Sequence, residues 1–123
     1  MHNSMSREAF TKAQRKEIRR LAGVAYEREL SAASAQLESE FARWRKGEID
    51  VFGLNELIHK FHNGASRDLY KVYAMGEAHW GVASAIARGL LTESEVDPAI
   101  LESLSESIQR GHEFAQEEEE KEA

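Results

Sequence analysis

The segment Asn55 to Gly64, NELIHKFHNG, holds the residues of this chain that come nearest to chemistry. Glu56 lies three residues before His59, which lies three residues before His62. At about 100° per residue on a helix, both histidines can reach one metal ion, and Glu-x-x-His is the spacing of dimetal carboxylate bundles. Those centres need a second motif, which this sequence lacks. The simpler interpretation is that Glu56 and His59 are surface side chains and that His62 lies at the core boundary as a helix-terminal histidine. A divalent metal site at Glu56, His59 and His62, serving a metal sensor or metal-dependent enzyme, is the alternative.

The other candidate groups do not form a catalytic centre that the sequence can identify. His79 precedes Trp80, and His112 falls on the predicted buried face of the last helix, but a general base also needs an orienting partner and a pocket. The chain has no Gly-x-Ser-x-Gly elbow and no phosphate-binding glycine loop. It also has no cysteine, which excludes disulfides and thiolate nucleophiles. We expect no catalytic activity and no cofactor.

A basic segment near the N-terminus raises nucleic-acid binding as a third hypothesis. Its cations recur every three or four residues on the helix face away from Ile18 and Ala22, where they could follow phosphates. These cations are Lys12, Arg15, Lys16, Arg19 and Arg20. Glu17 among them and a pI of about 5.4 favour a solvated face instead, so we do not expect nucleic acid as a partner.

The elements that must position these residues are all predicted to be helices, since no segment alternates with the period of a strand. The first helix is predicted from Ser6, as N-cap, to Lys46, with Gly47 just beyond its end. One apolar stripe at three- and four-residue spacing runs along it. The stripe consists of Ile18, Ala22, Ala25, Tyr26, Leu30, Ala33, Leu37, Phe41 and Trp44.

The predicted length of this helix implies a partner or a break. About 41 residues span roughly 60 Å, whereas a domain of this size has a radius of gyration of about 14 Å. Either the helix breaks near Gly23 or between Ser31 and Ser34, or its N-terminal part projects and a second subunit covers it. We expect a homodimer, whose interface residues are Ile18, Leu30, Leu37, Phe41, Trp44 and the off-stripe Tyr70.

One short helix and two further antiparallel helices complete the predicted bundle. Asp50 should cap the short helix, which runs from Val51 to His62 and ends at Asn63 and Gly64 because both residues tolerate the left-handed conformation. The third helix is predicted from Ser66 to about Arg88 or Leu90. Its many small residues should let neighbours approach closely, which makes it the central helix.

The C-terminal part carries the clearest capping signals. Thr92 to Glu95 has the spacing of a capping box. Asp97 and Pro98 are predicted to start the fourth helix, which reaches about Gln116. We therefore expect a flexible N-terminus at 1–5, one helical domain at 6–116 and a disordered acidic tail at 117–123.

Composition limits the class of protein. The net charge of -6 divides into +4 for residues 1–47, with 10 basic and 6 acidic side chains, and -10 for residues 48–123, with 6 basic and 16 acidic. No apolar run is long enough to cross a membrane, and MHNSMSREAF lacks the apolar core of a secretory signal, so we expect a cytoplasmic protein without a membrane partner. The sequence therefore predicts a small helical interaction or regulatory protein without a catalytic centre. Its expected partner is a second copy of itself, with another protein as the alternative.

Overall fold

The computed structural model describes residues 10–122, which fold into helices and connecting turns without a strand. The predicted all-α class is confirmed. In chain order the α-helices are α1 (Lys12–Arg45), α2 (Val51–Phe61), α3 (Arg67–Tyr70), α4 (Ala78–Ala87), α5 (Pro98–Ser103) and α6 (Ser105–Glu122). Two π-helical turns, His62–Ser66 and Lys71–Met75, join α2 to α3 and extend α3. A 3₁₀ turn, Glu93–Glu95, precedes α5.

The first helix is one unbroken rod of 34 residues, which corresponds to roughly 50 Å. Thr11 caps it through a capping box with Gln14, each side chain accepting a backbone N–H of the other residue at 3.0 Å. The predicted cap, Ser6, lies outside the described residues. Gly47 ends the helix as predicted, with a φ of 80° that only glycine adopts readily. The alternative of a break near Gly23 or in 31–34 is wrong, since α1 is continuous. Buried residues on both sides of Gly23 anchor the helix there.

The second rod, residues 51–75, contradicts the predicted helix boundaries. Asp50 caps it as expected, since its Oδ1 accepts the N–H of Gly53 at 2.7 Å. The chain does not stop at Asn63 and Gly64, however, because Gly64 keeps a negative φ and the backbone continues through a π-helical turn. The predicted end at His62 and the predicted start at Ser66 are both wrong.

The rod ends instead at Gly76. There the backbone becomes extended, with φ -88° and ψ 176°, and α4 then begins at Ala78. A Cβ on Gly76 would lie 2.8 Å from the carbonyl oxygen of Val72. Only glycine fits this turn, so the predicted single helix from Ser66 to Arg88 is divided in two.

The C-terminal caps are as predicted. The capping box of Thr92 and Glu95 forms, and Asp97 Oδ1 accepts the N–H of Ala99 at 2.8 Å beside Pro98. The helix after Asp97 is interrupted at Leu104, which separates α5 from α6. α6 runs to Glu122, beyond the predicted helix end at Gln116.

The core lies where α4 packs between the first half of α1 and α6. Its fully buried side chains include Leu21, Val82, Leu91, Ile100 and Leu104. Small residues bring the helices close, as predicted for the third helix: a Cβ on Gly111 of α6 would lie 2.7 Å from that of Ala87. We call this part of the molecule the body.

The second half of α1 and the start of the second rod form a two-helix hairpin, residues 30–66, which we call the arm. Only Leu54 is buried among these residues. The part of α1 that projects is therefore the C-terminal half, and the prediction of a projecting N-terminal part is wrong. Small residues at Ala22 and Ala25 admit α4 at the first half, whereas Leu30, Leu37 and Phe41 remain half-buried at the second.

Candidate functional site

The predicted metal ligands do not converge. Glu56, His59 and His62 are all exposed on the arm. Within residues 10–122, no three His, Asp or Glu side chains come together in a way that could hold a metal ion. The spacing places these side chains along one helical rod, but no other helix in the described part of the chain supplies further ligands to them.

The five cations of the predicted nucleic-acid segment differ in their exposure and in their contacts. Arg20 forms a salt bridge with Glu17 at 2.7 Å. Arg15 is half-buried, and its Nη1 donates to the carbonyl of Phe10 at 2.7 Å. Lys12, Lys16 and Arg19 are exposed. The five cations therefore do not form one uniform exposed face, since Arg15 turns towards the body.

The predicted interface residues also separate into groups. Ile18 is buried in the core of its own chain, with 2% of its surface exposed. Leu30, Leu37 and Phe41 are half-buried on the arm, whereas Trp44 and Tyr70 are exposed. All of these except Ile18 present at least part of their surface to solvent.

The arm exposes more apolar surface than the stripe predicted. Phe52 is 78% exposed, Val51 is 53% exposed and Ile58 is 36% exposed. Sequence reasoning missed Val51 and Phe52 because it searched for the buried stripe, and both residues lie outside it. The signal was available, since two adjacent apolar residues directly after a helix cap cannot both face a single neighbour.

A polar cluster fastens the second rod to the body. The Tyr73 hydroxyl donates to Glu29 Oε1, and Arg88 Nη2 donates to the same carboxylate oxygen at 2.6 Å. Burial raises the pKa of Glu29, but the hydrogen bonds from Arg88 and Tyr73 outweigh it, so that this pKa lies below its ordinary value. Three helices, α1, the second rod and α4, thus meet at one carboxylate.

A second ion pair joins α1 to the turn before α5. Arg28 Nη2 lies 2.6 Å from Glu95 Oε1, and Arg28 Nη1 donates to the carbonyl of Leu90 at 2.6 Å. The hydrogen bonds from Arg28 and then from Thr92 lower the pKa of Glu95 to about 2. The capping box of Thr92 and this ion pair therefore use the same carboxylate.

His79 is the buried histidine of the body, with 5% of its surface exposed. Its ring lies against Phe10 and Trp80, with centroids 5.7 Å and 4.9 Å away. Burial lowers its pKa, and Glu77, whose Oε2 is 3.7 Å from Nδ1, opposes this only in part. Among the described residues its Nε2 finds no hydrogen-bond partner. Packing against these two aromatic rings therefore disfavours the charged form of the imidazole.

A cleft of about 470 Å³ opens beside His79, between the first half of α1 and the end of the second rod. Arg15 and Arg19 line one part of it, and Tyr26 and Tyr73 line another. Sequence reasoning did not find this cleft, because it joins residues about fifty positions apart.

Fold and site together define an all-α protein in which a two-helix arm projects from a small helical body. No family model, curated protein or solved structure matches this chain significantly. Among the described residues, no helix combines the length and apolar character needed to cross a membrane.

Proposed function

We propose that this chain is a protein-interaction module that forms a homodimer through the arm. The observation that carries the proposal is the arm itself, in which two long helices pack together and leave only Leu54 buried. Four-helix bundles enclose a core that two helices alone leave open to solvent on both sides. A second copy would bring two further helices, and the two arms together would make a four-helix bundle.

One side of the arm offers the more apolar docking surface. A groove between α1 and the second rod is lined by Gln36 and Glu40 on one helix and by Leu57 and Lys60 on the other. At 100° per residue, Val51 and Ile58 lie on the opposite flank of α2, about 20° from each other. Both are exposed, so this second side is the surface that we assign to the partner copy.

The corresponding flank of α1 carries complementary charges. Glu38 and Arg45 are seven residues apart, which places them about 20° from each other on α1, and both line a groove of about 370 Å³ with Phe41. Both are exposed, and within residues 10–122 neither forms a salt bridge. If two copies pair in antiparallel fashion about a point between Phe41 and Ala42, Glu38 of each faces Arg45 of the other.

Net charge also permits self-association of the arm. Residues 30–66 contain five acidic and four basic side chains, a net charge of -1, although the whole chain carries -6. Repulsion between two copies is therefore small at the arm and larger elsewhere. This distribution favours contact between arms over contact between bodies.

Sedimentation equilibrium tests the proposal. The wild-type chain should be a dimer. The double variant Val51→Ser, Ile58→Ser should have a dimer dissociation constant at least about tenfold higher, because each copy loses two apolar side chains from the interface. Both residues are exposed in the isolated chain, so circular dichroism should show unchanged helix content. A wild-type chain that stays monomeric at the highest soluble concentration would overturn the proposal.

Charge reversal tests the orientation. Glu38→Arg should weaken the dimer, Arg45→Glu should weaken it similarly, and the double variant should recover most of the affinity. Glu27→Arg, which alters an exposed glutamate of α1 outside the arm, is the matched control and should leave the dimer unchanged. A double variant that is no tighter than either single variant would exclude the antiparallel pairing.

A further inference from the structure

The cleft beside His79 has the size of a small-molecule site. Its volume of about 470 Å³ falls within the roughly 300–1,000 Å³ that ligand pockets occupy. It lies in the body, between residues 15–26 of α1 and residues 73–79, and therefore does not overlap the arm. Its lining combines cationic, aromatic and apolar groups, which indicates what kind of ligand it fits.

The cationic part consists of two guanidinium groups. Arg15 and Arg19 are one helical turn apart on α1, and both line the cleft. The hydrogen bond from Arg15 Nη1 to the carbonyl of Phe10, at 2.7 Å, fixes the first of them. Over residues 10–122 neither arginine forms a salt bridge, whereas the neighbouring Arg20 is paired with Glu17. Two such groups are suited to bind one carboxylate or sulfonate.

The aromatic part is rigid. Tyr26 and Tyr73 stack with ring centroids 5.3 Å apart and an angle of 16° between their planes. The hydroxyl of Tyr73 is in turn held by Glu29 and Arg88. Because these contacts fix the tyrosine pair without a ligand, a planar ring can pack beside it at little cost in side-chain entropy.

Gly23 forms part of the wall of the cleft. It lies in the middle of α1, where glycine costs about 1 kcal/mol relative to alanine. A Cβ at this position would meet no atom within 4 Å, and Gly23 lines the cleft. Packing within the chain therefore does not require glycine here, and a large side chain at this position would extend into the cleft.

We propose that this cleft binds a small organic anion with a planar aromatic body and a single acidic group. Arg15 and Arg19 bind the acidic group, and the ring lies against Tyr26, Tyr73 and the backbone at Gly23. Glu77 also lines the cleft, and its carboxylate disfavours a second negative charge on the ligand. This assignment is independent of dimer formation through the arm.

The probe is 8-anilinonaphthalene-1-sulfonate, an aromatic monoanion whose fluorescence rises in an apolar site, and its neutral analogue N-phenyl-1-naphthylamine is the matched ligand. Arg19→Gln should weaken the sulfonate about tenfold, as the loss of one charged hydrogen bond implies, and should leave the neutral analogue unchanged. Gly23→Leu should abolish binding of both, because the leucine fills the cleft. Since leucine is a better helix former than glycine, this variant should fold at least as well as the wild type.

Two controls separate the cleft from other surfaces. Arg20→Gln removes a neighbouring cation that does not line the cleft and should keep wild-type affinity for the sulfonate. The arm variant Val51→Ser, Ile58→Ser should keep it as well. The proposal is overturned if Gly23→Leu binds the sulfonate like the wild type, or if Arg19→Gln behaves like Arg20→Gln.

Discussion

The phenol of Tyr73 provides a direct test of how the second rod is fastened to the body. Burial, and then the hydrogen bond to the Glu29 carboxylate, raises the pKa of Tyr73 to about 12 from an ordinary 10.0. The folded chain therefore keeps a proton that the unfolded chain releases between these two pH values. As pH rises from 10 towards 12, the free energy of unfolding must fall.

The size of this effect follows from the two pKa values. A difference of about two pH units corresponds to about 2.7 kcal/mol at 1.36 kcal/mol per unit. Tyr73 is only half-buried, and solvent screens its interaction with Glu29, so we expect about 1 kcal/mol between about pH 9 and about pH 11.5. This loss is in addition to the alkaline destabilisation caused by other groups.

Urea denaturation of the wild type and Tyr73→Phe at these two pH values measures the difference. At the lower pH the variant should be about 1 kcal/mol less stable, because it lacks one hydrogen bond. At the higher pH the two proteins should have nearly equal stability. Tyr70→Phe, which alters a tyrosine that is 53% exposed, serves as control and should follow the wild type. If Tyr73→Phe loses as much stability as the wild type over this range, the hydrogen-bonded cluster does not exist as described.

Two further predictions concern the body. Gly23→Ala should raise the free energy of unfolding by about 1 kcal/mol, because a methyl group there meets no other atom. Gly111→Ala should lower it by about 1–3 kcal/mol, because its Cβ would lie 2.7 Å from that of Ala87. Thermal unfolding should show that the midpoints of the two variants shift in opposite directions. His79, whose pKa burial lowers, should make the wild type lose stability as pH falls below about 6.5, since the unfolded chain then binds a proton that the folded chain does not. Urea midpoints at about pH 7.5 and about pH 5.5 should show this loss in the wild type and not in His79→Leu, and equal acid sensitivity would refute the assignment.

Local signals in the sequence predicted the helix caps well. Asp50, Gly47 and Asp97 all act as expected, because a cap depends on hydrogen bonds within a few residues. Asn63 and Gly64 are equally typical of a helix end, yet the backbone there stays helical. The helix continues there because the second rod packs along α1, and such packing cannot be read from the sequence. Gly76 lacked any capping partner in the sequence, and only its close approach to Val72 explains why the chain turns there.

The sites were less predictable than the fold. Spacing placed His59 and His62 near one another on a helix, but it could not show whether carboxylates from another helix meet them. Gly23 was considered as a potential break in α1, but in the structure α1 is continuous there and Gly23 lines a cleft. The cleft depends on Tyr73 and α1 meeting across nearly fifty residues of chain, and no local pattern indicates that contact.

The unbroken helix α1 runs through two regions that differ in local stability. Around Ala25, α1 is buried in the core of the body. Around Ser39, among the described residues, the same helix packs only against α2, the next helix in the chain. Opening the arm therefore requires the loss of few apolar contacts, while opening the first half of α1 requires the whole body to unfold. In the monomer, amide hydrogen exchange along this one helix should slow steadily from the arm tip towards the body.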